Sequence, residues 1–128
     1  MIDAETLLHL VSKRAELDPA HQLVAPGSIR SQALELLLAR VQSGDLDEAA
    51  AVTLHDPITE TKIRTLSDRV SRRAAWNLAR EQGWTTLRDA EYLALTRLQA
   101  DALVTVNTRL AKLANGLVQT APVDALLS

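Results

Sequence analysis

The chain has no cysteine. That excludes a disulfide framework and a thiolate metal site, and it fits a reducing compartment. Long apolar runs are also missing. The longest, such as ALELLLA at 33–39, are far too short to cross a bilayer. The first residues show no basic flank followed by an apolar signal core, so the expectation is a cytoplasmic protein with no membrane partner. No glycine-rich loop follows a β-like run, which excludes dinucleotide and P-loop phosphate binding. A G-x-S-x-G nucleophile elbow is absent too. His9, His21 and His55 share no ligand spacing, so a histidine metal site is not expected.

What remains is an ordinary globular composition. The 128 residues are 47% hydrophobic and 23% charged, the size of one domain spanning 1–128. A chain of that length buries roughly two-thirds of its unfolded surface. The net charge of −2 hides an asymmetry: residues 1–56 carry a net of −5 and residues 57–128 a net of +3. Much of the basic excess lies in RTLSDRVSRRAAWNLAR, residues 64–80. Such a run is either a solvated helix face or a nucleic-acid contact. Trp76 and Trp84 are expected to pack in the core and at a helix end, not to offer stacking platforms for bases.

Short β-like runs alternate with helical ones. MIDA reads as a truncated first strand, followed by a helix with Leu7, Leu8, Val11 and Ala15 at helical spacing. HQLVAP is a short extended piece closed by Pro26 and Gly27. The next helix, 28–42, places Ile29, Ala33, Leu37 and Val41 on one stripe with Leu34 and Leu38 beside it, ending at Ser43 and Gly44. LDEAAAVTL reads as a helix that cannot pass Pro57, and KIRTL as a strand. Ser67 is the expected N-cap of a helix over 68–82, with Val70, Ala74 and Leu78 inward and Gly83 as its stop. Thr85 or Thr86 would cap a helix over 87–99. Strand ALVTVN, helix TRLAKLA, strand GLVQTA and a turn of helix after Pro122 complete the chain. The alternation predicts an α/β fold, three-layer α/β/α with a short parallel sheet.

Polar residues stand at the strand ends and helix starts, where the carboxyl edge of a parallel sheet gathers chemistry. Asp3 follows the first strand, and Gln32 borders an apolar stripe in the first turns of its helix. Asp89 lies in the first turn of another helix, and Asn107 ends residues 103–106. Each alone has a plain alternative. Asp89 complements a helix dipole, Asn107 is an N-cap, Gln32 a boundary residue and Asp3 a turn or cap.

In this order the residues resemble a PIN domain, the nuclease fold of VapBC-type toxins. IDAETLL is similar to the family's first strand and Leu-rich helix. LVAPGSIRSQALELLLARV resembles its second block, a Pro followed six residues later by an acid on a helix. The third block, TTLRDAEYLALTRLQADALVTVNTRLA, carries Asp-Ala, Tyr-Leu-Ala-Leu and a strand ending in Thr-x-acid. GLVQTAPVDAL fits the closing strand and turn.

The resemblance implies a site at Asp3, Gln32, Asp89 and Asn107, with Thr105 matching the family's strand Thr. The family's second acid, normally Glu, falls on Gln32 and its fourth, normally Asp, on Asn107. Only Asp3 and Asp89 remain as metal ligands. The family's four carboxylates hold Mg²⁺ or Mn²⁺ through hard oxygen ligands, and the ion activates water for phosphodiester attack on RNA. An amide keeps the carbonyl oxygen and loses the charge. At an effective dielectric of ~20, a unit charge ~4 Å from a divalent ion is worth several kcal/mol before desolvation, so weak metal binding is expected. Glu35, one helical turn beyond Gln32, is the leading substitute ligand; Glu5 and Glu91 are expected to turn away.

Two functions follow from the resemblance. One is a toxin-type ribonuclease with a depleted site, acting on RNA beside an antitoxin. The other is a catalytically impaired PIN-like module that binds RNA or protein. A homodimer is expected through the surplus leucines of ETLLHLV and ALELLLARV.

Overall fold

A computed structural model describes residues 1–128. Its elements, in order, are α1 (Ala4–Ser12), β1 (Val24–Pro26), α2 (Ile29–Gln42), α3 (Glu48–Val52), α4 (His55–Glu60) and β2 (Arg64–Leu66). Then come α5 (Arg69–Gln82), α6 (Arg88–Gln99), β3 (Leu103–Val104), α7 (Thr108–Ala114), β4 (Thr120–Ala121) and a 3₁₀ turn (Val123–Leu126). The fold is mixed α/β, and its strand pairs, β1 with β2 and β3 with β4, are both parallel.

The expected first strand shrinks to Ile2, which forms a parallel bridge to Val104. Its N–H donates to the Val24 carbonyl at 3.1 Å, while the Val104 N–H donates to the Met1 carbonyl at 2.8 Å. Met1 and Ile2 therefore join the two strand pairs. Ile2 is fully buried, in one core with Leu7, Leu8, Ile29, Leu93, Leu103 and Leu110. Helix α6 packs on β1 and β3 and against α5; α1 packs against α2 and α4. Arg30 of α2 ties in α4, donating to the carbonyls of Ile58 and Thr61.

Several expected boundaries move, each for a local reason. β3 stops at Val104 because the next N–H groups leave the ladder. Val106 donates to the Thr6 hydroxyl and Asn107 to the Thr105 hydroxyl. β4 starts late because the N–H groups of Leu117 and Val118 close the end of α7 on the Ala114 carbonyl. Pro57 does not end a helix; it sits in the first turn of α4, where a missing N–H costs nothing.

Asp68, not Ser67, caps α5 by accepting from the Ser71 N–H. Ser67 is held instead against Gly27, where any β-carbon would strike its hydroxyl. Neither Thr85 nor Thr86 caps α6, which starts after Leu87 with Asp89 and Glu91 in its first turn, as the positive helix end favours. Gly83 does stop α5, in the left-handed conformation (φ 71°).

The inward face of α5 is also rotated from the expected one. Ser71, Ala75, Leu78 and Ala79 are buried, whereas Val70 is 64% exposed. The small residues let α5 lie close on α6, and close packing outweighs burial of one Val. On α2 the Ile29, Ala33 and Leu37 stripe is buried and Leu34 and Leu38 are exposed. Helix α1 has no such surplus, since Leu7, Leu8 and Leu10 are all inside.

Truncating Ile2 to Ala should therefore lower the unfolding free energy by about 3 kcal/mol, the usual cost of a buried cavity. Val70→Ala should change it by under about 0.5 kcal/mol. Urea unfolding of the two variants checks both values. Comparable losses would mean that Val70 is inward after all.

Candidate functional site

The cleft lies where the start of α1, the end of β3 and the start of α7 meet. Asp3 is 4% exposed and caps α1, its Oδ1 accepting from the Thr6 N–H at 3.2 Å and, in a short contact, from the Thr6 hydroxyl. The Thr6 oxygen in turn accepts from the Val106 N–H at 3.0 Å. One buried hydroxyl thus links the first acid to the end of β3, a hundred residues away in sequence. Sequence reasoning passed over Thr6, although a Thr three residues after an N-cap Asp is well placed for this contact.

Asn107 caps α7, its Oδ1 accepting from the Leu110 N–H at 3.1 Å. Its Nδ2 donates to Glu5 Oε1 at 3.1 Å. Glu5, expected to turn away, is therefore part of the cleft. An aspartate at 107 would keep the cap and lose the bond to Glu5, setting carboxylate against carboxylate. The amide satisfies both neighbours. Thr105 lies beneath it, accepting the Asn107 N–H at 3.0 Å.

Gln32 is held on two sides. Its Nε2 donates to Ser28 Oγ at 2.9 Å, and its Oε1 accepts from the Tyr92 hydroxyl at 2.6 Å. Tyr92 is buried, and its hydroxyl titrates well above the ordinary tyrosine range. Burial is the main cause, the charge of Asp3 adds to it, and the Ala4 backbone partly offsets both. The phenol thus stays protonated and bridges Gln32 to the surroundings of Asp3.

Asp89 meets a residue the sequence did not single out. Arg109 grips it with two parallel bonds, Nη1 to Oδ2 at 2.7 Å and Nη2 to Oδ1 at 3.0 Å. The Asp89 side chain is 20% exposed and that of Arg109 61%. Asp89 raises the guanidinium pKa, first by hydrogen bonding and then by charge, with smaller contributions from Glu5 and Asp3. One cation thus feels all three acids. A signal was present in the sequence: Arg109 stands in the first turn of α7, where the helix dipole disfavours a cation unless an acid compensates.

Asp3 is thus paired with Thr6, Gln32 with Tyr92, Asp89 with Arg109 and Asn107 with Glu5, and no hydrogen bond joins the four directly. No three His, Cys, Asp or Glu side chains come together as metal ligands. Both oxygens of Asp89 are committed to Arg109 and one of Asp3 to Thr6, so these donors do not fit a divalent ion as they stand. Glu35 is outside the cleft, 3.6 Å from Arg88 on the exposed surface. Glu91 is half-buried and lines a hollow of about 210 Å³ with Gly27, Ser28, Ser67, Ser71 and Arg72. A hollow of about 760 Å³ along the α7–β4 connection contains none of the expected site residues.

No protein-family model matches the chain, and no curated protein matches it. Among solved structures it resembles the crystal structure of PAE2754 from Pyrobaculum aerophilum. The two are 21% identical with a TM-score of 0.69, over 97% of this chain and 90% of that one. Likeness at this identity establishes a shared fold and nothing about activity.

Burial raises the Glu91 carboxyl above its ordinary pKa, with Arg88 partly opposing. The fold then favours the protonated form. The stability tied to it is present below the unfolded carboxyl's pKa and lost as pH rises through the higher folded value. Glu91→Gln should therefore melt at a higher temperature than the parent at neutral pH, with the gap closing near pH ~4. Melting curves at the two pH values check this, and a gap that widens on acidification would refute it.

Proposed function

We propose that the chain is a PIN-like protein of nuclease lineage that binds RNA at this cleft without efficient metal-dependent cleavage. The observation that carries this reading is the two-pronged pairing of Arg109 with Asp89. A PIN-type nuclease needs uncompensated carboxylates facing a divalent ion. Here Gln32 and Asn107 are neutral, and a guanidinium of the chain's own occupies the third acid. Bidentate guanidinium–carboxylate pairing is among the stronger ionic contacts, and an incoming ion must displace it.

The same reading includes a cytoplasmic setting and an antitoxin-type partner protein. It also includes a homodimer through α2, where Leu34 and Leu38 stand exposed on successive turns. No helix is long and apolar enough to cross a membrane.

The test rebuilds the acidic site. Gln32→Glu, Asn107→Asp and Arg109→Gln together restore two carboxylates and remove the compensating cation. Mn²⁺ affinity by calorimetry should rise by at least about a hundredfold, since each change of a unit charge near a divalent ion is worth kcal/mol. Metal-dependent RNA cleavage should rise with it, while thermal stability without metal falls through carboxylate repulsion. Each single change should give less than half of the logarithmic gain, because all act through one ion. Asp89→Asn in the restored background should abolish the gain. Tight, stoichiometric Mn²⁺ binding with brisk cleavage by the unaltered chain would overturn the reading in favour of an active ribonuclease.

A further inference from the structure

Trp76 does not pack in the core: it is 51% exposed on α5, whereas Trp84 packs against the core. Its neighbours on the outer surface of α5 are arginines. Arg69, Arg73, Trp76 and Arg80 are spaced i, i+4, i+7 and i+11, and all four are exposed. At 100° and 1.5 Å per residue they form one stripe within about 60° of arc and about 16 Å long. Arg72 flanks the stripe, one of its nitrogens donating to the Ser67 carbonyl at 2.8 Å. The ion pairs of the chain, Arg88–Glu35 and Arg109–Asp89, involve no arginine of α5, and the N-cap acid Asp68 lies in the field of Arg72, off the stripe. The one acid within α5, Glu81, lies about 100° from Arg80 and off the stripe.

We propose that single-stranded RNA lies along this face of α5, with its phosphates on Arg69, Arg73 and Arg80 and an unpaired base stacked on Trp76. A merely solvated face needs neither an exposed indole nor charge of a single sign; it mixes signs, as surfaces do. Arginines supply the sequence-independent phosphate contacts, and an aromatic ring between them supplies a plane for an unpaired base. A duplex would leave the indole unused, because its bases are already stacked. The choice of RNA as the nucleic acid rests on the function proposed above; the geometry of the face does not.

Fluorescence anisotropy with a labelled single-stranded RNA of about 12 nucleotides tests it. Replacing Arg69, Arg73 and Arg80 together by Gln should weaken binding at least about tenfold. It should also reduce the slope of log affinity against log salt by about 2, as loss of three phosphate contacts requires. Trp76→Ala should weaken binding about tenfold and leave the salt slope unchanged, and Trp76→Phe should recover most of the loss. All these positions are exposed, and circular dichroism verifies that each variant folds.

Unchanged binding in the arginine variant or in Trp76→Ala overturns the proposal. So does tighter binding of duplex RNA or of single-stranded DNA of the same sequence. A polyglutamate peptide that competes as well as RNA would instead mark the face for an acidic protein. None of these changes touches the cleft, so Mn²⁺ titration of the restored-site variant decides the cleft reading separately.

Discussion

The architecture depends on the way Met1 and Ile2 lie between the two strand pairs. Two hydrogen bonds, Ile2 to Val24 and Val104 to Met1, bring segments from the start, the first quarter and the last quarter of the chain to one line. Ile2 fixes this arrangement because it is wholly buried and has no solvent-facing alternative. The residue after it must then leave the sheet at the mouth of the cleft. That residue is Asp3, which caps α1 and pulls Thr6 into contact with Val106. Packing thus determines where the first acid stands, and capping determines what its carboxylate faces.

Once Asp3 is placed, the electrostatics of the cleft follow from the company it keeps. Three acids, Asp3, Glu5 and Asp89, approach one region. Like charges gathered in a partly dry site destabilise the fold unless something offsets them. A metallonuclease offsets them with ions that also perform the chemistry. This chain relies on side chains: Asn107 donates to Glu5, Thr6 to Asp3, and Arg109 pairs with Asp89. Such a site is stable with no ligand bound. The same contacts that confer that stability occupy the oxygens through which a metal would be held.

Much of this was legible in the sequence. Asn107 as an N-cap, the parallel alternation of strands and helices, and the buried stripe Ile29, Ala33, Leu37 follow from local patterns that tertiary packing did not disturb. The phase of α5 was not legible, because Val70, Ala74, Leu78 and Ser71, Ala75, Ala79 are equally periodic. Contact with α6 selected the smaller set. Nor was the role of Glu5, since its partner lies 102 residues away and spacing along one helix says nothing about α7. Arg109 carried a signal, a cation in the first turn of α7, but not its partner, which lies twenty residues upstream on another helix.

The outer face of α5 follows from the spacing of its arginines. With Ser71, Ala75 and Ala79 buried, Arg69, Arg73 and Arg80 face outward as a set, because the three lie within about 40° of one another around the helix. Had Val70, Ala74 and Leu78 gone inward, the helix would have turned by roughly a quarter, and the arginine stripe would still have faced solvent, about 130° from the packed side instead of about 145°. Close packing of small residues against α6 therefore decides that Ala79 is covered and Val70 is not, while the arginines face solvent in either phase. Trp76 stands among the arginines on that outer face. The spacing of the arginines along α5 thus keeps part of the chain's basic half on one outer face, while the acidic half supplies Asp3 and Glu5 to the cleft.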